Sequence, residues 1–226
     1  MIVAVVLALV ALGAVILARF LLMRQCRKPA RSRGANLARA MNLGHAELTT
    51  WGLEQLPIAS NATILDVGCG GGKTIERLLG RAPDGKVYGI DYSAASVAVS
   101  RETNASAIAD GRVDVRHGSV SGLPFPPATF DLVTAVETHY YWPDLTADLA
   151  EVRRVLKPGG RVVIVAEAFR GMRSGARDML MMSLVGVRLR SPDEHCDALI
   201  GAGYTDVRVT ADPGKGWIRA TGTNAS

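Results

Sequence analysis

Thr63-Ile64-Leu65-Asp66-Val67-Gly68-Cys69-Gly70-Gly71-Gly72-Lys73-Thr74 is the stretch on which the fold turns. Five residues from Thr63 to Val67 suit a buried strand. Gly68 to Gly72 then supplies four glycines in five positions, and Lys73 to Leu79 opens a helical pattern. A glycine turn between a first strand and a first helix lets a ligand come close to the backbone.

The same alternation continues outward. Leu37 to Gln55 reads as a helical lead-in, with Leu43, Leu48, Trp51 and Leu56 as apolar anchors. Val87–Asp91, Val113–His117, Phe130–Val136 and Arg161–Val165 read as further strands. Helices are expected over 93–109, capped by Ser93, and over 145–156, with Pro158-Gly159-Gly160 as a turn into the fifth strand. Short apolar strands alternating with helices imply βαβ units and a parallel sheet covered on both faces. The tail differs: Val207–Val209 and Trp217–Arg219, joined by Asp212-Pro213-Gly214, read as an antiparallel hairpin at the sheet edge. The chain has 226 residues, enough for one α/β domain and a short appendage.

The net charge is +5, yet residues 1–34 alone hold six basic residues and no acid. The remainder is nearly neutral, so no basic footprint for a nucleic acid lies across it. Cys26, Cys69 and Cys196 are odd in number and far apart, which gives neither a disulfide framework nor a metal site.

Residues 1–18 carry no charge, and the basic run from Arg24 to Arg33 follows. A helix over residues 1–23 would be about 34 Å long, enough for a hydrocarbon core of roughly 30 Å. The charge lies after the apolar run, unlike a signal peptide. The expectation is a transmembrane anchor over 1–23, a basic linker over 24–36 and one domain over 37–226. The positive-inside rule would make this a single-pass membrane protein with residues 24–226 cytoplasmic.

Three ligand classes use such a glycine loop. A phosphate-binding G-x-x-x-x-G-K-[ST] loop ending at Gly72-Lys73-Thr74 would need glycine at position 67, which is Val67. A dinucleotide G-x-G-x-x-G loop starting at Gly68 would need glycine at 73, which is Lys73. The third class needs an acid before the loop, here Asp66, and an acid ending the second strand, here Asp91. An acid in the second place can accept hydrogen bonds from both ribose hydroxyls of a nucleoside.

In this order the motifs resemble those of the class I S-adenosylmethionine (SAM) dependent methyltransferases. Ile64 to Gly72 resembles the first motif, and Val87 to Asp91 the second-strand acid motif. Leu123-Pro124-Phe125 with Phe130-Asp131-Leu132-Val133 resembles the fourth-strand segment. Val155 to Gly160 resembles the turn before the fifth strand, and Ser191 to Tyr204 the last helix. The resemblance covers about residues 45–220 and implies a seven-stranded, mostly parallel, Rossmann-like doubly wound sheet with an antiparallel C-terminal hairpin. With the N-terminal segment, the expected class is α/β preceded by a transmembrane helix.

The resemblance implies S-adenosyl-L-methionine as cofactor, held by Asp66, Gly68, Cys69, Gly70, Asp91, Tyr92, Ser119 and Val120. Many members have Gly-Asp after the third strand, where the acid meets adenine; here the pair is Gly118-Ser119. Methyl transfer from a sulfonium is an in-line displacement, to which the protein contributes alignment and exclusion of water. Glu137-Thr138-His139-Tyr140-Tyr141-Trp142-Pro143 follows the fourth strand, and Glu137 and His139 are the candidate catalytic residues. His45 is a weaker candidate, His117 is expected at a solvent edge, and His195 on the surface of the last helix. The Met-containing segment Met172 to Arg190 is expected to shape an acceptor pocket. No metal is expected. The expected partners are a small-molecule or lipid acceptor and the membrane. A non-catalytic SAM-binding membrane protein and an NAD(P)-dependent oxidoreductase are the alternatives.

Overall fold

The computed structural model describes residues 13–15, 17–18, 34–36, 38–39, 44–54, 56–173, 180, 182–184 and 186–225. Helix α1 is Ala46–Leu53, followed by strand β1 (Thr63–Val67) and helix α2 (Lys73–Arg81). Then come β2 (Lys86–Asp91), α3 (Ala94–Thr103), α4 (Ala105–Ala109), β3 (Val113–His117) and β4 (Phe130–Val136). A 3-10 turn, His139–Tyr141, leads to α5 (Leu145–Val155), β5 (Leu156–Ala166), α6 (Pro192–Gly201), β6 (Thr205–Asp212) and β7 (Trp217–Thr223).

The seven strands form one sheet in the order β3-β2-β1-β4-β5-β7-β6. β1 to β5 pair in parallel, and β7 runs antiparallel to both β5 and β6. Side chains alternate between faces, as strand geometry requires. Leu65, Val162 and Ile164 pack with Leu149, Val152 and Leu199 of α5 and α6. Ile64, Val163 and Val165 pack with Leu48, Ile75 and Val97 of α1, α2 and α3 on the other face. The sheet is therefore buried on both sides, which is why its central strands read as unbroken apolar runs.

Two elements differ from the sequence expectation. The helix expected over 93–109 is capped by Ser93, whose Oγ accepts from Ser96 N–H at 3.2 Å, but it breaks at Asn104. The Asn104 side chain donates to Gly72 O at 3.1 Å and to Ser100 O at 2.9 Å, tying the helix end to the glycine loop. Pro158-Gly159-Gly160 is not a separate turn but part of β5, whose register slips between Phe130 and Leu132 on the partner strand. A side chain at Gly160 would press on Lys157 O and Phe130 O at about 3 Å, so the irregularity needs that glycine.

No helix among the described residues is long and apolar enough to cross a membrane. Spanning by a helix takes about 20 consecutive apolar residues, and the described pieces of residues 1–23 are 13–15 and 17–18. The transmembrane helix of the sequence reading is corrected accordingly, and with it the membrane localisation. The rest of that stretch, and residues 24–33 of the linker, lie outside the described residues.

Candidate functional site

The C-terminal ends of β1, β2 and β4 open onto one cleft, the position where parallel α/β sheets bind ligands. Gly68 and Gly70 take positive φ values of 72° and 51°, and Gly72 one of 85°. A Cβ at Gly68 would collide with the Thr138 side chain, so a glycine is required there. Gly72 is the residue before α2, and its left-handed conformation turns the chain into that helix.

Asp91 holds this loop from the neighbouring strand. Its Oδ2 accepts from Gly70 N–H at 3.0 Å and its Oδ1 from Ser93 N–H at 2.8 Å. Each oxygen keeps capacity for a further donor. Burial raises the Asp91 carboxyl above its ordinary range, while Ser93, Gly70 and the His117 ring oppose the rise. His117 is exposed, as expected, and its Nε2 lies 3.0 Å from Tyr92 O.

Asp66 is only 2% exposed and lies outside the cleft walls. Its Oδ1 accepts from Thr134 Oγ1–H at 2.7 Å on the adjacent strand. Burial first, with Asp91 adding to it, pushes its carboxyl up to about 7 against the pull of Thr134. Cys69 lines the cleft, but burial and the two nearby aspartates hold its thiol well above the ordinary range, so it stays protonated.

The cleft has two lobes with Gly68, Asp91, Tyr92, Thr138 and Tyr141 common to both. Gly70, Cys69, His45 and Glu137 line one; Ser119, Val120 and Trp142 line the other. The structure thus brings together seven of the eight expected cofactor-binding residues, all but Asp66. It adds Thr138 and Tyr141, which the sequence reading did not single out. Their signal was position, directly after the strand whose end faces Gly68.

Glu137 and His139 part company. Glu137 sits at φ 58°, a conformation that costs a non-glycine residue of order 1–2 kcal/mol and clusters at functional sites. Its Oε1 accepts from Tyr140 Oη–H at 2.8 Å and from the Glu167 backbone N–H at 2.5 Å. Burial, then the Glu167 carboxylate, pushes its carboxyl up to about 8. His45 Nε2 lies 3.8 Å from Glu167 Oε1 at the same rim.

His139 is fully buried and turns away from the cleft. Its Nε2 lies 2.9 Å from Nε2 of His195, which is itself fully buried, so the expected surface position of His195 is corrected. His195 Nδ1 faces Ser191 O at 2.8 Å, and a carbonyl only accepts. Neutral His195 therefore carries its proton on Nδ1, and His139 donates from Nε2. His139 Nδ1 is left buried without a partner. Burial holds both imidazoles below their ordinary range, His139 well below. Their ring NMR signals should stay in the neutral form as pH falls through about 6.5, the value for a free imidazole; a midpoint at that value would contradict the buried pair. In the unfolded chain both rings take up protons there while the folded pair does not. The pair's contribution to stability is thus lost as pH falls below about 6.5.

The family described as a methyltransferase domain matches residues 65–164, which run from β1 through β5 and contain the loop, Asp91 and Glu137. That match spans 100 of the chain's 226 residues, and over it the chain is similar to methyltransferases. A methyltransferase of Bacillus subtilis is 32% identical over 120 residues, 53% of this chain and 64% of the relative. A demethylmenaquinone methyltransferase of Lactiplantibacillus plantarum is 38% identical over 112 residues, 49% of this chain and 47% of the relative. The chain thus matches less than two thirds of the length of these curated relatives. A SAM-dependent methyltransferase from Aquifex aeolicus shares the fold with a TM-score of 0.69 at 22% identity, covering 84% of this chain and 98% of that one. Human N-acetylserotonin methyltransferase, solved in complex with SAM, shares the fold with a TM-score of 0.68 at 16% identity, covering 85% of this chain and 56% of that one.

Proposed function

We propose that this chain binds SAM in the two-lobed cleft and transfers its methyl group to a small-molecule acceptor. The observation that carries the reading is Asp91, a buried carboxylate at the end of β2 that braces the Gly68–Gly72 loop and lines both lobes. The residues present fit the cofactor: the loop offers glycine backbone for close approach, and the carboxylate keeps lone pairs for two ribose hydroxyls. Ser119 and Val120 would face adenine across from Tyr92. Asp66, behind the loop, would act by bracing β1 against β4 through Thr134.

When bound, SAM supplies an electrophilic methyl on a sulfonium. The chain's own part is to orient the acceptor, to exclude water and to hold a proton. Glu137 is the group placed to take that proton from a hydroxyl, phenol or amine. Tyr141 forms the wall beside it and also packs on an apolar cluster of Tyr140, Phe169, Ile218, Met172 and Met182. That wall suits the apolar body of an organic acceptor. A relative named for demethylmenaquinone, a small organic molecule, supports the same class of acceptor.

Incubating the purified chain with methyl-labelled SAM and a fractionated metabolite extract tests the reading. Label should appear in small organic molecules, and the Glu137→Gln variant should give at least about a hundredfold less of it. Label found only in protein or nucleic acid would overturn the acceptor class.

A further inference from the structure

Glu137 has two oxygens with different surroundings. Oε1 is saturated by two protein donors, the Tyr140 hydroxyl at 2.8 Å and the Glu167 backbone N–H at 2.5 Å. Neither donor is loose. Tyr140 is 4% exposed, and its ring lies between His139, 4.4 Å away centre to centre, and Tyr141, at 5.9 Å. The turn carrying Tyr140 is fastened to α6 by the His139–His195 bond and to the 188 backbone, where Arg188 N–H donates to Tyr140 O at 3.3 Å. Glu167 N–H is fixed by its place directly after β5.

We propose that Tyr140 is a positioning residue for methyl transfer: its hydroxyl pins Oε1 of Glu137, so that Oε2 is the oxygen that takes the acceptor's proton. The proposal rests on the reading of Glu137 as the base and adds which oxygen acts and what sets its basicity. Tyr140 is no competing base. Burial, with Glu137 and Glu167 beside it, holds its phenol protonated well above the ordinary range. It therefore donates to Oε1 whether Glu137 is charged or neutral, and a carboxyl with one oxygen committed to two donors carries its proton on the other. The step balances as a proton transfer: the acceptor's O–H or N–H bond breaks, the electron pair stays on the acceptor atom, and the proton ends on Oε2. Solvent receives it after the product leaves.

A hydrogen bond to the charged form favours that form, so the Tyr140 hydroxyl lowers the proton affinity of Glu137 against the larger effect of burial. The carboxyl carbon of Glu137, followed by NMR in the full chain and assigned with Glu137→Gln, reads this directly and needs no acceptor. Tyr140→Phe keeps the ring and removes the donor, and the Glu137 midpoint should rise by about one pH unit, a tenfold change in proton affinity. A 3,5-difluorotyrosine at position 140, a stronger donor of nearly the same shape, should move the midpoint down. A residue that only packs would give no such opposed pair. Midpoints that coincide across all three proteins would overturn the proposal. The base reading fails separately: opposed shifts together with unimpaired methyl transfer by Glu137→Gln would leave Tyr140 tuning a carboxyl that catalysis does not use.

Discussion

Asp91→Ala is expected to weaken SAM binding by at least about a hundredfold while the circular dichroism of the fold is retained. The size follows from what the carboxylate does. It accepts from Gly70 and Ser93 N–H groups now, and both donors would be left without it. In the proposed reading it also accepts from the ribose hydroxyls of SAM. A hydrogen bond to a charged group contributes roughly 1.5–3 kcal/mol, and two such bonds lost with the cofactor amount to about 3 kcal/mol or more. That corresponds to a factor of about 100 in affinity. Isothermal titration of the variant with SAM is the measurement. Affinity within threefold of the parent chain would show that the ribose is held elsewhere.

Glu137→Gln should lower methyl transfer by a factor of roughly 100 to 10,000, the range spanned by a positioned acid or base, and leave SAM affinity nearly unchanged. Glutamine keeps the shape and can still accept from Tyr140 and Glu167 N–H, so the loss is that of the base. The pH dependence has a definite sign. The carboxyl titrates at about 8, because burial and Glu167 favour its neutral form. A base acts only when ionised, so the rate should climb as pH rises through about 8 and then level off. Stability moves the other way. The folded chain holds a proton that the unfolded chain, titrating near 4.3, has given up. The neutral Glu137 therefore favours the folded state in acid, and that contribution is lost as pH rises towards about 8. A rate that falls with pH across this range, or a Glu137→Gln variant at full speed, would remove Glu137 from the chemistry.

The parallel sheet was legible because its strands are short, apolar and separated by helical patterns, and each expected strand from Thr63 to Val165 is present. The cleft was legible for a related reason: ligand contacts at this edge come from loops whose place is set by strand ends. Local sequence could not show what depends on distant partners. The helix broken at Asn104 is bonded to Gly72, 32 positions away. The burial of His195 depends on His139, 56 positions away. One sign of it was present: His195, Ala198 and Leu199 share a helix face, and all three are buried. His139 was grouped with Glu137 by adjacency, but the 3-10 turn sends its side chain to the opposite side. The N-terminal stretch misled because an uncharged apolar run satisfies the length criterion for a spanning helix by composition alone.

The most direct test of the central claim is calorimetric titration of the purified chain with SAM and, separately, with NAD and ATP. A single saturable site for SAM, lost in Asp91→Ala and displaced by the demethylated thioether product, is the predicted result. Binding of NAD or ATP to that site in place of SAM, or no SAM binding at all, would contradict it.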